Sequence, residues 1–126
     1  MEPPQAPLEG LRILVAEDNV FAAMEVEQAL KDCGCEPVGP VATVDKALRL
    51  ACDEQLDGAV LDVNLREQPV FPVAEELHRR GVRMIFTTGY ETGYTFPESL
   101  ASCARLRKPF DGHQLKSLMV ATFGRS

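Results

Sequence analysis

Leu11-Arg12-Ile13-Leu14-Val15-Ala16 is an apolar run of strand length that stops abruptly at Glu17-Asp18-Asn19. A second run, Gly58-Ala59-Val60-Leu61, ends in the same way at Asp62. Strands apolar at nearly every position, rather than at alternate ones, are buried on both faces, as in a parallel sheet. Between these two runs the period changes. Ala22, Val26, Ala29, Leu30 and Cys33 recur at helical spacing, and Gly34 sits where a helix would end.

Outward from this pair the alternation continues. Residues 36–41 contain Pro37 and Pro40, which places that strand at a sheet edge. Thr43 is positioned to cap a helix with an apolar stripe of Val44, Ala47, Leu48 and Ala51. Val70, Val73, Ala74 and Leu77 form another stripe, closed by Gly81, and residues 82–88 are a third apolar run. A short helix is expected over 97–103 and a weaker strand over 104–107. Asp111 then caps a last helix carrying Leu115, Leu118, Met119 and Thr122. Strand and helix alternate about five times, which specifies an α/β fold: a parallel sheet, doubly wound, with helices on both faces. In such folds ligands gather at the carboxyl ends of the strands.

The chain has 126 residues, enough for one domain, expected over 11–124 behind a flexible, proline-bearing lead-in over 1–10. Its net charge is −6, with no run of Lys or Arg, which argues against direct nucleic-acid binding. No basic segment leads into an apolar stretch, and no apolar run approaches membrane-spanning length, so a cytoplasmic protein that makes no membrane contact is expected. Cys33, Cys35, Cys52 and Cys103 lack a second ligand pair at zinc spacing and read as small buried residues. His78 and His113 read as solvated.

The strand ends are a different matter. Glu17 and Asp18 follow the first strand, Asp62 ends the third, Thr87 and Thr88 end the fourth, and Lys108-Pro109-Phe110 follows the fifth. Carboxylates a few ångströms apart repel by about 4 kcal/mol per pair at an effective dielectric near 20. Packing gives no reason for this convergence, and a helix-capping role accounts for Glu17 and Asp18 alone. A hard divalent cation resolves it, and Mg²⁺ suits two carboxylates plus a backbone carbonyl. Asp62 could then act as a nucleophile toward phosphorus, with Lys108 neutralising the transferring oxygens.

As a set, these residues resemble the receiver domain of two-component response regulators, over nearly all of the chain from Leu11 to Phe123. The resemblance implies a flavodoxin-like three-layer sandwich with a five-stranded sheet in the order 2-1-3-4-5. It implies that Asp62 is the phosphoacceptor, Asp18 a direct Mg²⁺ ligand and Glu17 an acid acting through metal-bound water. Asn64 would give a backbone carbonyl to the metal, Thr88 a hydroxyl that moves toward the phosphoryl group, and Lys108 a contact to it. The implied partners are a sensor histidine kinase or phosphotransfer protein and a downstream protein. Phe86-Thr87-Thr88-Gly89-Tyr90 and Val70-Phe71-Pro72-Val73 are further similar to a single-domain subgroup, the FAT GUY regulators of bacterial stress signalling. Thr87 replaces the alanine of that motif, and Glu91 stands where its last tyrosine belongs.

One departure concerns coupling. Three residues before the lysine, where receivers carry a switch aromatic, stands Arg105. An unpaired guanidinium resists burial, so Arg105 is expected at the surface, against Tyr90, Tyr94 or Glu91, and residues 89–97 become the expected switch. With no output domain after Ser126, the chain is expected to signal through its own surface or to drain phosphate from a kinase. Three rivals remain open. A phosphorylation-independent pseudo-receiver adaptor has no need of buried like charges. A haloacid-dehalogenase-type hydrolase expects Asp where Asn64 stands. A flavin carrier expects a hydroxyl-rich loop after the first strand.

Overall fold

A computed structural model describes residues 8–89 and 94–124. Five strands, β1 (Arg12–Ala16), β2 (Glu36–Val41), β3 (Gly58–Asp62), β4 (Arg83–Thr88) and β5 (Ala104–Arg107), form one sheet. Every pairing in it is parallel, in the order β2-β1-β3-β4-β5. Among the described residues four α-helices connect and flank the strands: α1 (Val20–Asp32), α2 (Val44–Asp53), α3 (Phe71–Arg79) and α4 (Gly112–Phe123). This is the doubly wound α/β fold that the alternation called for, in the flavodoxin-like strand order that the resemblance implied.

Alternate strand residues feed the two faces. Ile13, Val15, Val60 and Ile85 pack with Val26, Ala29 and Leu30 of α1 and with Leu115, Met119 and Phe123 of α4. Leu14, Ala16, Ala59, Leu61, Met84 and Phe86 pack on the other side with α2 and α3. A strand buried on both sides must be apolar at every position, which is why β1 and β3 read as unbroken runs. β2 lies at the edge, as its prolines require. There Gly39 has φ +104°, and a Cβ on it would stand 2.8 Å from Val15 O, so the register with β1 shifts at this point.

Three expectations need correction. The lead-in is fastened before residue 11: Leu8 is buried, Leu8 N donates to Cys33 O at 3.1 Å, and Gly10 N donates to Gly34 O at 2.9 Å. An apolar leucine beside the Cys33–Cys35 turn has core to fill; residues 1–7 lie outside the described ones. The helix expected over 97–103 is a single 3₁₀ turn, Glu98–Leu100, with i→i+3 bonds from Ala101 N and Cys103 N. Buried Leu100 is the one apolar anchor within that turn, too little to hold an α-helix. Cys52 is exposed and Cys103 half-buried, whereas Cys33 and Cys35 are buried as expected. Burial pushes the Cys35 thiol up to about 11. His78 and His113 are exposed.

Among the described residues no helix is long and apolar enough to cross a membrane. Gly58 opens β3 where α4 crosses closely: a Cβ there would stand 2.6 Å from the Phe123 ring and 2.9 Å from Ile13 Cδ1. Gly58→Ala should therefore destabilise the fold by about 1–3 kcal/mol through overpacking, read as a lower guanidinium midpoint at unchanged slope. An unchanged midpoint would show that Phe123 moves aside freely.

Candidate functional site

The carboxyl edge of the sheet gathers the charged side chains picked out in the sequence. At the end of β1 the chain turns directly into α1, and Asn19, not Glu17 or Asp18, caps that helix: its Oδ1 accepts from Ala22 N at 2.9 Å. Both acids are thereby released from capping. Glu17 is 4% exposed, and its Oε2 accepts from Asn19 N at 2.9 Å. Asp62 closes β3 at 6% exposure, and its Oδ1 accepts from Asn64 N at 3.1 Å. Carboxylate oxygens of Glu17, Asp18 and Asp62 lie within 4.8 Å of one another.

Lys108 joins them from the loop after β5. Its Nζ stands 2.8 Å from Glu17 Oε1 and 2.9 Å from Asp62 Oδ2. Its backbone is fixed to β4, because Lys108 N donates to Thr88 O at 2.7 Å. The Asp62 contact is a hydrogen bond. The Glu17 contact is an ion pair without hydrogen-bond alignment, so Glu17 Oε1 is buried with a charge partner but no aligned donor among the described residues.

Electrostatics follows from that count. Three carboxylates against one ammonium leave two negative charges when all are ionised, the charge of one divalent cation. Burial raises the Glu17 carboxyl to about 7, with the Asp62 charge adding to the rise and Lys108 and the Asn19 amide opposing it. For Lys108, burial pulls the ammonium down, but the bonds to Glu17 and Asp62 outweigh it and the net shift is upward. A buried carboxyl raised to about 7 even with an ammonium 2.8 Å away marks a place where further positive charge is favoured. Glu17, Asp18 and Asp62, hard oxygen donors on one edge, fit Mg²⁺.

Thr88 meets the site through its carbonyl, which fixes Lys108. Asn64 meets it through its amide. Arg105 is exposed as expected, but its partner is another ring: Cζ lies 3.7 Å from the centroid of Phe96, and Nη2 donates to Ala101 O at 3.1 Å. Tyr90 and Glu91, the other partners considered, lie outside the described residues, as do residues 90–93 of the expected switch loop.

Sequence reasoning missed the hairpin after Asp62. Asn64–Leu65 pairs antiparallel with Gln68–Pro69 around a two-residue loop, Arg66 (φ +49°) and Glu67 (φ +67°). Arg66 N donates to Asp18 Oδ2 at 2.8 Å, so this loop holds one of the three acids. Loops of this kind favour Asn-Gly or Asp-Gly, and Arg-Glu carries no such signal.

No family model matches the sequence, and no curated protein does either. Solved structures do. SdrG from Sphingomonas melonis Fr1, in solution, is 34% identical over 89% of this chain and 95% of its own, with a TM-score of 0.78. The response regulator PhyR from Brucella abortus is 25% identical over 94% of this chain with a TM-score of 0.77; the match spans 49% of PhyR. The receiver domain of the sensor histidine kinase PA1611 from Pseudomonas aeruginosa PAO1, solved with magnesium in its active-site cleft, shares the fold at 24% identity, over 92% of this chain and 99% of its own, with a TM-score of 0.75. The fold and the SdrG likeness together define the class, and this chain belongs to the response-regulator receiver domains.

Two outcomes test the electrostatics in metal-free protein. Glu17 has a folded pKa of about 7 against an ordinary 4.5, so its contribution to stability is complete below 4.5 and is lost as pH rises through about 7. Glu17→Gln should remove that decline, read as denaturation midpoints across the window. Thr87 Oγ1 is buried, at 1% residue exposure, with no hydrogen-bond partner among the described residues. Thr87→Val, which replaces a stranded hydroxyl by a methyl, should stabilise the fold by about 1 kcal/mol.

Proposed function

We propose that this receiver accepts a phosphoryl group on Asp62 in a Mg²⁺-dependent reaction, from a histidine kinase or phosphotransfer protein. The observation that carries this reading is the Lys108 ammonium held between Glu17 and Asp62, with Asp18 completing the acidic cluster. Asp62 is buried enough to be a poorly solvated, reactive carboxylate, and the Asn64 amide fixes its orientation. One of its oxygens attacks phosphorus, the P–N bond of the donor's phosphohistidine breaks, and the product is an acyl phosphate. The leaving imidazole retains the electron pair of that bond and takes up a proton.

Asp18 and Asp62 would hold Mg²⁺ directly, with Glu17 acting through a water and Asn64 through its carbonyl. Bound there, the metal would neutralise charge on the phosphoryl oxygens. Lys108 would exchange its carboxylate partners for the new phosphoryl oxygens, which bring close to two negative charges. The chain is therefore a phosphoacceptor that assists its own phosphorylation and dephosphorylation, and it works on no separate substrate. Its output would be a change of surface read by a downstream protein, or the removal of phosphate from a kinase in the cytoplasm of a bacterium. The second reading is a phosphorylation-independent adaptor. It is favoured by the ion pairs of Lys108 with Glu17 and Asp62, which tie the loop after β5 to the sheet as a purely structural link would.

Acetyl phosphate with Mg²⁺ should add one acid-stable, base-labile phosphoryl group, seen by intact-protein mass spectrometry and absent from Asp62→Ala. Labelling that persists in Asp62→Ala would move the acceptor elsewhere, and a native chain that never labels would favour the adaptor. Asp18→Ala should weaken Mg²⁺ binding more than Glu17→Ala does, since one loses a direct ligand and the other an indirect one. A larger loss at Glu17 would reverse the two roles.

A further inference from the structure

The hairpin after Asp62 is held from both sides. On one side its backbone serves the acidic cluster: Asn64 N donates to Asp62 Oδ1 at 3.1 Å, and Arg66 N donates to Asp18 Oδ2 at 2.8 Å. On the other side stands Tyr94, from the segment that follows β4. Its hydroxyl lies 3.5 Å from Asn64 Oδ1 and 3.4 Å from Glu67 O, two long contacts, one to an arm of the hairpin and one to its loop.

The loop it spans needs such support. Arg66 and Glu67 sit at φ +49° and +67°, where non-glycine residues are strained by about 1 kcal/mol or more each. Strain of this kind persists only where surrounding contacts over-determine the conformation. Tyr94 is itself fixed at its ring. It meets Phe71 edge-on at 6.2 Å, and Phe71 packs against Phe96 at 5.1 Å and Phe86 at 6.4 Å. Arg105 covers Phe96 at 3.7 Å and is tied to Ala101 O. A continuous set of contacts therefore runs from Arg105 on β5 through Phe96, Phe71 and Tyr94 to the two amides that orient Asp62 and Asp18.

We infer that Tyr94 is a positioning residue for the metal side of the site: through Asn64 Oδ1 and Glu67 O it holds the strained hairpin, and the Arg105–Phe96 stack holds Tyr94. This rests on the reading of Glu17, Asp18 and Asp62 as the Mg²⁺ site. It gives Arg105 a task at the position where receivers carry a switch aromatic. The guanidinium stays at the surface and acts by clamping a ring, because burying it unpaired would be far costlier.

The test is a Mg²⁺ titration of the full chain, without phosphodonor, followed by NMR shifts of the Asn64, Arg66 and Glu67 amides. Tyr94→Phe keeps the ring and removes the hydroxyl. It should weaken Mg²⁺ binding about twofold, as expected for long, shared hydroxyl contacts, and shift the Asn64, Arg66 and Glu67 amides of the metal-free protein, with a slightly lower metal-free denaturation midpoint. Arg105→Ala should weaken binding in the same direction and add nothing in the Tyr94→Phe background. Unchanged affinity in Tyr94→Phe, or Asn64, Arg66 and Glu67 amides that do not move in it, would overturn the positioning role. Fully additive losses would overturn the link to Arg105. Asp18→Ala separates this inference from the reading beneath it. If Asp18→Ala binds Mg²⁺ as the native chain does, the metal site itself is misplaced. If it abolishes binding while Tyr94→Phe changes nothing, only the inference on Tyr94 fails.

Discussion

An ammonium held between two buried carboxylates organises the carboxyl edge of this sheet. Lys108 Nζ is within 3 Å of both Glu17 and Asp62, which come from strands β1 and β3. Burial raises the Glu17 carboxyl to about 7 even with that ammonium beside it. The lysine in turn depends on β4, whose last carbonyl binds its amide. Three strands and one loop are thus tied to a single charge. The arrangement suits a reaction that brings further negative charge, because the counter-charge is already in place.

Around that charge the chain divides its tasks. Asn19 takes over the capping of α1, which leaves Glu17 and Asp18 free for the cleft. The hairpin after β3 supplies amides to Asp18 and Asp62, and the aromatic cluster of Phe71, Phe86, Phe96 and Tyr94 closes the opposite side. Where the alternation led to a fourth connecting helix, the described residues show irregular chain and one 3₁₀ turn. Rings rather than a helical stripe fill the space there. The SdrG likeness, at 34% identity over almost the whole of both chains, anchors the family, while PhyR carries a comparable unit within a protein about twice as long.

The parallel sheet, the edge position of β2 and the acids at the strand ends were legible because each depends on local pattern, whereas the strand order came from the family resemblance. Unbroken apolar runs, prolines and capping residues are read one segment at a time. Thr43, Asn19 and Asp111 show the difference within a single device. Thr43 and Asp111 cap where expected, with Asp111 and Gln114 forming a reciprocal pair, whereas Asn19 settles a question that Glu17 and Asp18 left open. Leu8 went unread because one leucine among three prolines has no period, although it packs in one buried cluster with Cys33 and Cys35.

What the residues alone settle is the alternation, the burial of β1 and β3, and the presence of three acids and a lysine at one edge. These follow from periodicity and from the rule that places strand ends together. What folding alone settles is which atoms meet: Lys108 on both Glu17 and Asp62, Arg66 N on Asp18, and Arg105 on Phe96 rather than on a tyrosine. Each of these contacts joins segments far apart in the chain or hangs on a backbone amide, whose chemistry is the same at every position. No residue type announces them, so only the packed chain can.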